Sequence, residues 1–154
     1  MRALGIDYGR RRIGLALSDA TGMLARPWKT LPGSGDPRRA AADLLSEISV
    51  LSADADGLAA VVIGYPRRLN GDPSGQTPIV EQIAARLREA LTLPVVLQDE
   101  RLSSREAESL LARREKDWRK RKLLLDAASA AVILQDYLDG QARLSPAPVE
   151  EDDE

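Results

Sequence analysis

Leu4-Gly5-Ile6-Asp7-Tyr8-Gly9-Arg10-Arg11-Arg12-Ile13-Gly14-Leu15-Ala16-Leu17 is the stretch on which the fold turns. Two apolar runs, Leu4–Ile6 and Ile13–Leu17, flank a glycine and three arginines, the pattern of a two-stranded hairpin. The first strand closes on Asp7, although strands disfavour aspartate. Asp7 could open the turn before Gly9, but Tyr8-Gly9 makes a turn without a preceding acid. Gly9 and Gly14 carry no side chain, which would let a polyanion backbone come close to the arginines.

Working outward, Met23–Leu31 predicts a third strand, with Pro27 favouring an edge. Asp36-Pro37 opens a helix, Asp as cap and Pro at the first position, with Leu44, Leu45, Ile48 and Leu51 as its apolar stripe. Leu58–Ile63 is a continuous apolar run, the mark of a strand covered on both faces. A loop dense in turn formers, Gly64–Thr77, leads to a helix over Pro78–Leu91. Leu93–Leu97 is a further buried strand, ending at Gln98-Asp99-Glu100. Ser103 and Glu106 have capping-box spacing for another helix, and a last helix is expected from about Leu124 to Asp139, stopped by Gly140. Antiparallel strands followed by alternating helices and strands predict an α/β fold. Its mixed five-stranded sheet is flanked by helices on both faces.

The chain has 154 residues, 44% hydrophobic and 30% charged, which suits one domain over about 1–140. Five of the 24 acidic side chains are the last five, Glu150–Glu154, so the rest of the chain is net basic. Residues 141–154 read as a disordered acidic tail. No apolar run approaches the roughly 20 residues of a membrane span. Met1–Gly5 leads into the strand pattern without a signal-peptide cleavage site, so a cytoplasmic location and no membrane partner are expected.

The chain has no cysteine and no histidine. This excludes disulfides, thiol nucleophiles, Ser-His-Asp chemistry and the usual zinc sites. Carboxylates and a hard cation, Mg²⁺ or Mn²⁺, remain. Asp7, Glu100 and Asp126 stand out: two strand ends and the start of the last helix. If they converge, their repulsion calls for cations, and two divalent ions about 3.5–4 Å apart would clamp a phosphodiester. Blander roles compete. Glu100 could pair with Arg101 or Arg105, Asp99 could take its place, and Asp126 could cap the last helix at Ala128 or Ser129 N–H.

The arginines form three groups: Arg10, Arg11 and Arg12; Arg67 and Arg68; and the basic run over 113–122, including Arg121 and Lys122. Each could be a solvated face with i,i+4 pairs. All three flank the carboxylates, which fits a nucleic acid held by its phosphates, with Asn70, Gln76 and Arg101 as further contacts. The five aromatic side chains are too few to indicate base stacking. The Gly64–Thr77 loop lacks Gly-Lys-Ser/Thr and is not a Walker loop.

Four segments, Gly5–Asp19, Val62–Gln76, Asp99–Glu108 and Asp126–Leu134, together resemble the YqgF family of bacterial proteins, also called RuvX or Holliday junction resolvase-like. The resemblance covers about residues 2–140 and implies an RNase H-like fold. It implies metal-dependent phosphodiester cleavage with Asp7, Glu100 and Asp126 as the carboxylates, and maturation of the 5′ end of 16S rRNA in the cytoplasm. Pre-16S rRNA, branched DNA and ribosomal particles are the implied partners, and the expected state is monomer or homodimer. Arg67-Arg68-Leu69-Asn70 departs from the more apolar segment ending in Asp-Gly that family members often carry there. Two rival readings are a non-catalytic nucleic-acid-binding module and an actin- or sugar-kinase-like phosphotransferase. One domain cannot supply the two lobes that the latter usually needs.

Overall fold

A computed structural model describes residues 1–66, 75–99 and 118–144, with side chains from 125 onward in the last stretch. The elements are β1 (Arg2–Tyr8), β2 (Arg12–Ser18), β3 (Ala25–Pro32), α1 (Pro37–Ala53), β4 (Leu58–Tyr65), α2 (Thr77–Ala90), β5 (Val95–Asp99) and α3 (Trp118–Leu144). The helix expected from Ser103 and the acidic tail over 145–154 lie outside the described residues. No described helix is long and apolar enough to cross a membrane.

The five strands form one sheet in the order β3-β2-β1-β4-β5. β1 pairs antiparallel with β2 and parallel with β4, so the predicted hairpin leads into a mixed sheet. β3 lies at the edge, as Pro27 requires, and its register shifts beside that proline. It begins later than the expected Met23. The Asp19 carboxylate accepts from the Thr21 hydroxyl and from the Met23 and Leu24 N–H groups, folding those residues into a turn. These bonds to the charged form hold the Asp19 carboxyl below its usual range, led by the Thr21 hydroxyl.

Side-chain alternation sorts the sheet into two layers. On one side Leu4, Ile6, Ile13, Leu15, Val61 and Ile63 pack against Leu44 and Ile48 of α1 and Ile83 and Leu87 of α2. Full burial of each such aliphatic side chain stabilises the fold by about 1.5–3 kcal/mol. On the other side Ala3, Ala16, Ala60 and Val62 meet Ala130, Ile133 and Leu134 of α3. This second face of the sheet is made mostly of small residues, so α3 lies very close to it. A Cβ on Gly5 would stand 2.7 Å from Leu134 Cβ and 2.9 Å from the Ala130 carbonyl oxygen.

Asp36 caps α1 as expected, its carboxylate accepting from Arg38 N–H at 2.9 Å. α3 departs from expectation at both ends. It starts at Trp118 and continues through Gly140 to Leu144, four residues into the stretch expected to be tail. A helical glycine costs only about 1 kcal/mol, and Gln141–Leu144 includes good helix formers.

Candidate active site

Asp7 and Asp126 meet through a glycine. Asp7 stands directly opposite Gly14 in the antiparallel β1–β2 pair, and residues so placed share a face of the sheet. That face belongs to α3. A Cβ on Gly14 would collide with the main-chain carbonyl oxygen of Asp126. The helix backbone at Asp126 therefore occupies the space beside Asp7. The gap at Gly14 admits α3, which corrects the expectation that it admits a polyanion. At Gly9, the position of a Cβ is blocked by the Arg12 carbonyl oxygen.

The helical period explains why Asp126 faces inward. Asp126, Ala130, Ile133 and Leu134 follow the i, i+4, i+7, i+8 spacing of one helix face, and the last three pack on the sheet. Asp126 continues that stripe to the end of the sheet where β1 terminates. Because α3 begins at Trp118, Asp126 lies inside the helix and is not its N-cap. Gln135 fixes the helix from the other end, donating to Met23 O at 3.0 Å and accepting from Ala25 N–H at 2.9 Å.

The three arginines do not act as a block. Alternation along β2 sends Arg12 to the face of Gly14 and Ala16, and its Nε donates to Asp126 Oδ2 at 2.6 Å. Arg10 turns away toward the β3–α1 connection, where its Nε lies 3.9 Å from the position of a Cβ on Gly35. The Arg11 carbonyl accepts from Gly33 N–H at 2.8 Å, which docks the hairpin turn on that connection.

At the other carboxylate strand, β5, Val95 and Leu97 pack with the α1–α2 core, whereas Val96 and Gln98 pair with Val62 and Gly64 of the α3 face. Asp99 thus belongs to the α1–α2 side, opposite Asp7. Glu100 lies outside the described residues, as do Arg67, Arg68, Asn70 and Arg101. Arg121 and Lys122 fall in the first turns of α3, with side chains outside the description. Gln76 precedes α2, and its carbonyl accepts from Val80 N–H at 3.0 Å. Next to it, buried Thr77 donates from its hydroxyl to Pro66 O at 2.5 Å. This bond ties together the two ends of the glycine-rich loop. Tyr65 Oη donates to Glu81 Oε1 at 2.6 Å, fastening β4 to α2. Sequence reasoning assigned no role to Arg12 as a partner of Asp126, to Thr77 or to Tyr65. Only the stripe beginning at Asp126 was visible as a spacing.

Among the described residues no three acidic side chains come together as a metal group. Two do approach, and their donors are carboxylate oxygens, which suit Mg²⁺ or Mn²⁺. One of them, Asp126, already holds a cationic group, the Arg12 guanidinium, at 2.6 Å. The residues present therefore fit a divalent ion.

A mixed sheet of order β3-β2-β1-β4-β5, with a helix against β1 and β2 carrying a carboxylate to the end of β1, defines a protein of the RNase H-like class. Two solved structures share the fold. One is a Fowlpox virus resolvase in complex with Holliday junction DNA, with TM-score 0.58, 14% identity, and coverage of 92% of this chain and 99% of that one. The other is Thermus thermophilus RuvC, with TM-score 0.51, 15% identity, and coverage of 93% and 97%.

The model of the RuvX family, described as Holliday junction resolvase, matches residues 1–140, and the chain belongs to that family and so to the nucleases, which hydrolyse phosphodiester bonds. A relative from Geobacillus kaustophilus is 38% identical over 141 residues, covering 92% of this chain and 99% of its own length. One from Syntrophus aciditrophicus is 40% identical over 139 residues, covering 90% and 89%. Both carry the provisional name pre-16S rRNA nuclease.

Proposed function

We propose that this nuclease is dependent on Mg²⁺ or Mn²⁺ and processes the 5′ end of pre-16S rRNA in the cytoplasm, acting on ribosomal precursor particles. The observation that carries the reading is the approach of Asp7 and Asp126 across Gly14, at the end of β1 in a chain without histidine or cysteine. The relatives' name supports the choice of substrate.

Asp7, Asp126 and Glu100 would hold the ions. Asp99 falls on the α1–α2 side of the sheet, away from Asp7, which favours Glu100 over Asp99 as the third carboxylate. When bound, two such ions supply charge neutralisation at the phosphodiester and activation of the attacking water. The chain's own part is to fix the carboxylates. Asp7 is held by the β1–β2 ladder, and Asp126 by a helix packed on Gly5, Gly14 and Ala16. Arg10, Arg11 and the loop arginines Arg67, Arg68 and Arg101, with Asn70, Gln76, Arg121 and Lys122, would bind phosphates along the RNA. Such contacts position the strand without reading its sequence.

D7N is the direct test. It should abolish Mn²⁺-dependent cleavage of a pre-16S rRNA transcript while the circular dichroism spectrum is unchanged. Cleavage at the parental rate would refute the assignment. Branched DNA is the second reading, favoured by the description of the family. A four-way junction assayed beside the transcript decides between them.

A further inference from the structure

Arg12 has a position that neither turn chemistry nor nucleic-acid binding explains. It enters the carboxylate site from β2 and donates from Nε to Asp126 Oδ2 at 2.6 Å. Of its neighbours in the same turn, Arg10 reaches toward Gly35, and neither Arg10 nor Arg11 forms an ion pair among the described residues. The pair is only partly covered, with side-chain exposures of 47% for Arg12 and 26% for Asp126. It can therefore open without unpacking the core. The acceptor is also the helix residue whose backbone lies against Gly14, beside Asp7. An arginine cannot lose its charge near neutral pH, so the guanidinium is a permanent cation beside the acids.

We infer that Arg12 is the resident counter-cation of the carboxylate site, an alternative to a divalent ion on Asp126. Ion binding and the Arg12–Asp126 pair are then mutually exclusive. Loading the site displaces the guanidinium into solvent at the end of β1, where it becomes available to a phosphate. Without an ion, the pair keeps Asp126 in its inward rotamer and offsets the repulsion between the acids. The idea rests on Asp7 and Asp126 being the ion-holding carboxylates, and it adds an internal competitor for one of them.

Calorimetric titration of the full-length, nucleic-acid-free protein with Mn²⁺ tests the competition in the parent, R12Q and R11Q. R12Q should bind Mn²⁺ roughly two- to fivefold more tightly, the fold-change that corresponds to losing a partly exposed pair. R11Q removes the same charge from the adjacent position and should gain less. Equal affinity in the parent and R12Q, or equal gains in R12Q and R11Q, overturns the inference while leaving the carboxylate site intact. The arginine Nε–H resonances give a second readout. The Arg12 signal, assigned by its loss in R12Q, should be protected from exchange without ions and lose that protection on saturation with Mg²⁺. Protection that persists at saturation overturns the inference. Absence of Mn²⁺ binding in both parent and R12Q overturns the reading of the site along with it.

Discussion

Gly14 of β2 receives the main-chain carbonyl of Asp126 where any other residue would carry its Cβ. Gly14 also stands across the ladder from Asp7. One missing side chain thus sets the separation between two acids that are 119 positions apart in the sequence (126 less 7).

Alanine at position 14 should push α3 off the sheet. Overpacking of this kind costs about 1–3 kcal/mol. G14A is expected to lower the unfolding free energy in urea by that amount and to shift the midpoint down accordingly. Its cleavage rate should fall even at temperatures where circular dichroism reports a folded protein, because Asp126 moves away from Asp7. A G14A protein of parental stability would show that α3 does not dock as described.

Asparagine at position 126 separates stability from chemistry. The Arg12–Asp126 pair is partly exposed, so losing it should cost under about 1 kcal/mol in denaturant unfolding. Cleavage should drop by at least the ~10–100-fold typical of groups one step removed from an ion. A larger loss of stability than of activity would mean that Asp126 is a structural residue.

Tyr8 gives a prediction with a pH dependence. It is 3% exposed, and its hydroxyl has no hydrogen-bond partner among the described residues. Removing an unsatisfied buried hydroxyl should help, so Y8F is expected to be more stable by about 1 kcal/mol. Burial raises the phenol above its ordinary 10.0, Arg10 opposing and Asp36 adding. The folded protein keeps this proton to higher pH than the unfolded chain does. The associated stability is therefore complete below pH 10 and lost as pH rises through the raised value. Urea unfolding at pH 8 and pH 11 should show a steeper alkaline loss in the parent than in Y8F.

Thr77 joins the two ends of the glycine-rich loop. T77V keeps the shape and removes the 2.5 Å bond to Pro66 O. It should cost about 1 kcal/mol in unfolding. If the loop contacts the substrate, T77V should also raise KM more than it lowers kcat. Steady-state cleavage kinetics distinguish this from an effect on the carboxylates.

The sheet was readable because its signals are local. Leu58–Ile63 announces a strand covered on both sides, and Asp36-Pro37 announces a helix start; both are where the sequence puts them. The bounds of α3 were not readable. A glycine at position 140 resembles a stop, and an aspartate at 126 before a small-residue helix resembles a cap. Packing on the sheet outweighs both local preferences. Asp7 and Asp126 could be singled out by residue type, but the Arg12–Asp126 pair spans 114 positions and leaves no trace in spacing. In the sequence, the missing side chain of Gly14 resembles room for a ligand. Only the position of α3 shows that the room is already filled.

β1, β4 and β5 are parallel, so their final residues, Tyr8, Tyr65 and Asp99, come out along a single rim of the sheet. The residues after Pro66 and after Asp99 lie outside the described residues, which resume at Gly75 and at Trp118. Asp7 and Asp126, by contrast, are anchored on β1 and on the body of α3. The separation of the two acids is therefore fixed by the β1–β2 ladder and the docking of α3, both within the described residues. The spacing of the acids is thus a property of the sheet and its covering helix, insulated from whatever the chain does beyond the strand ends.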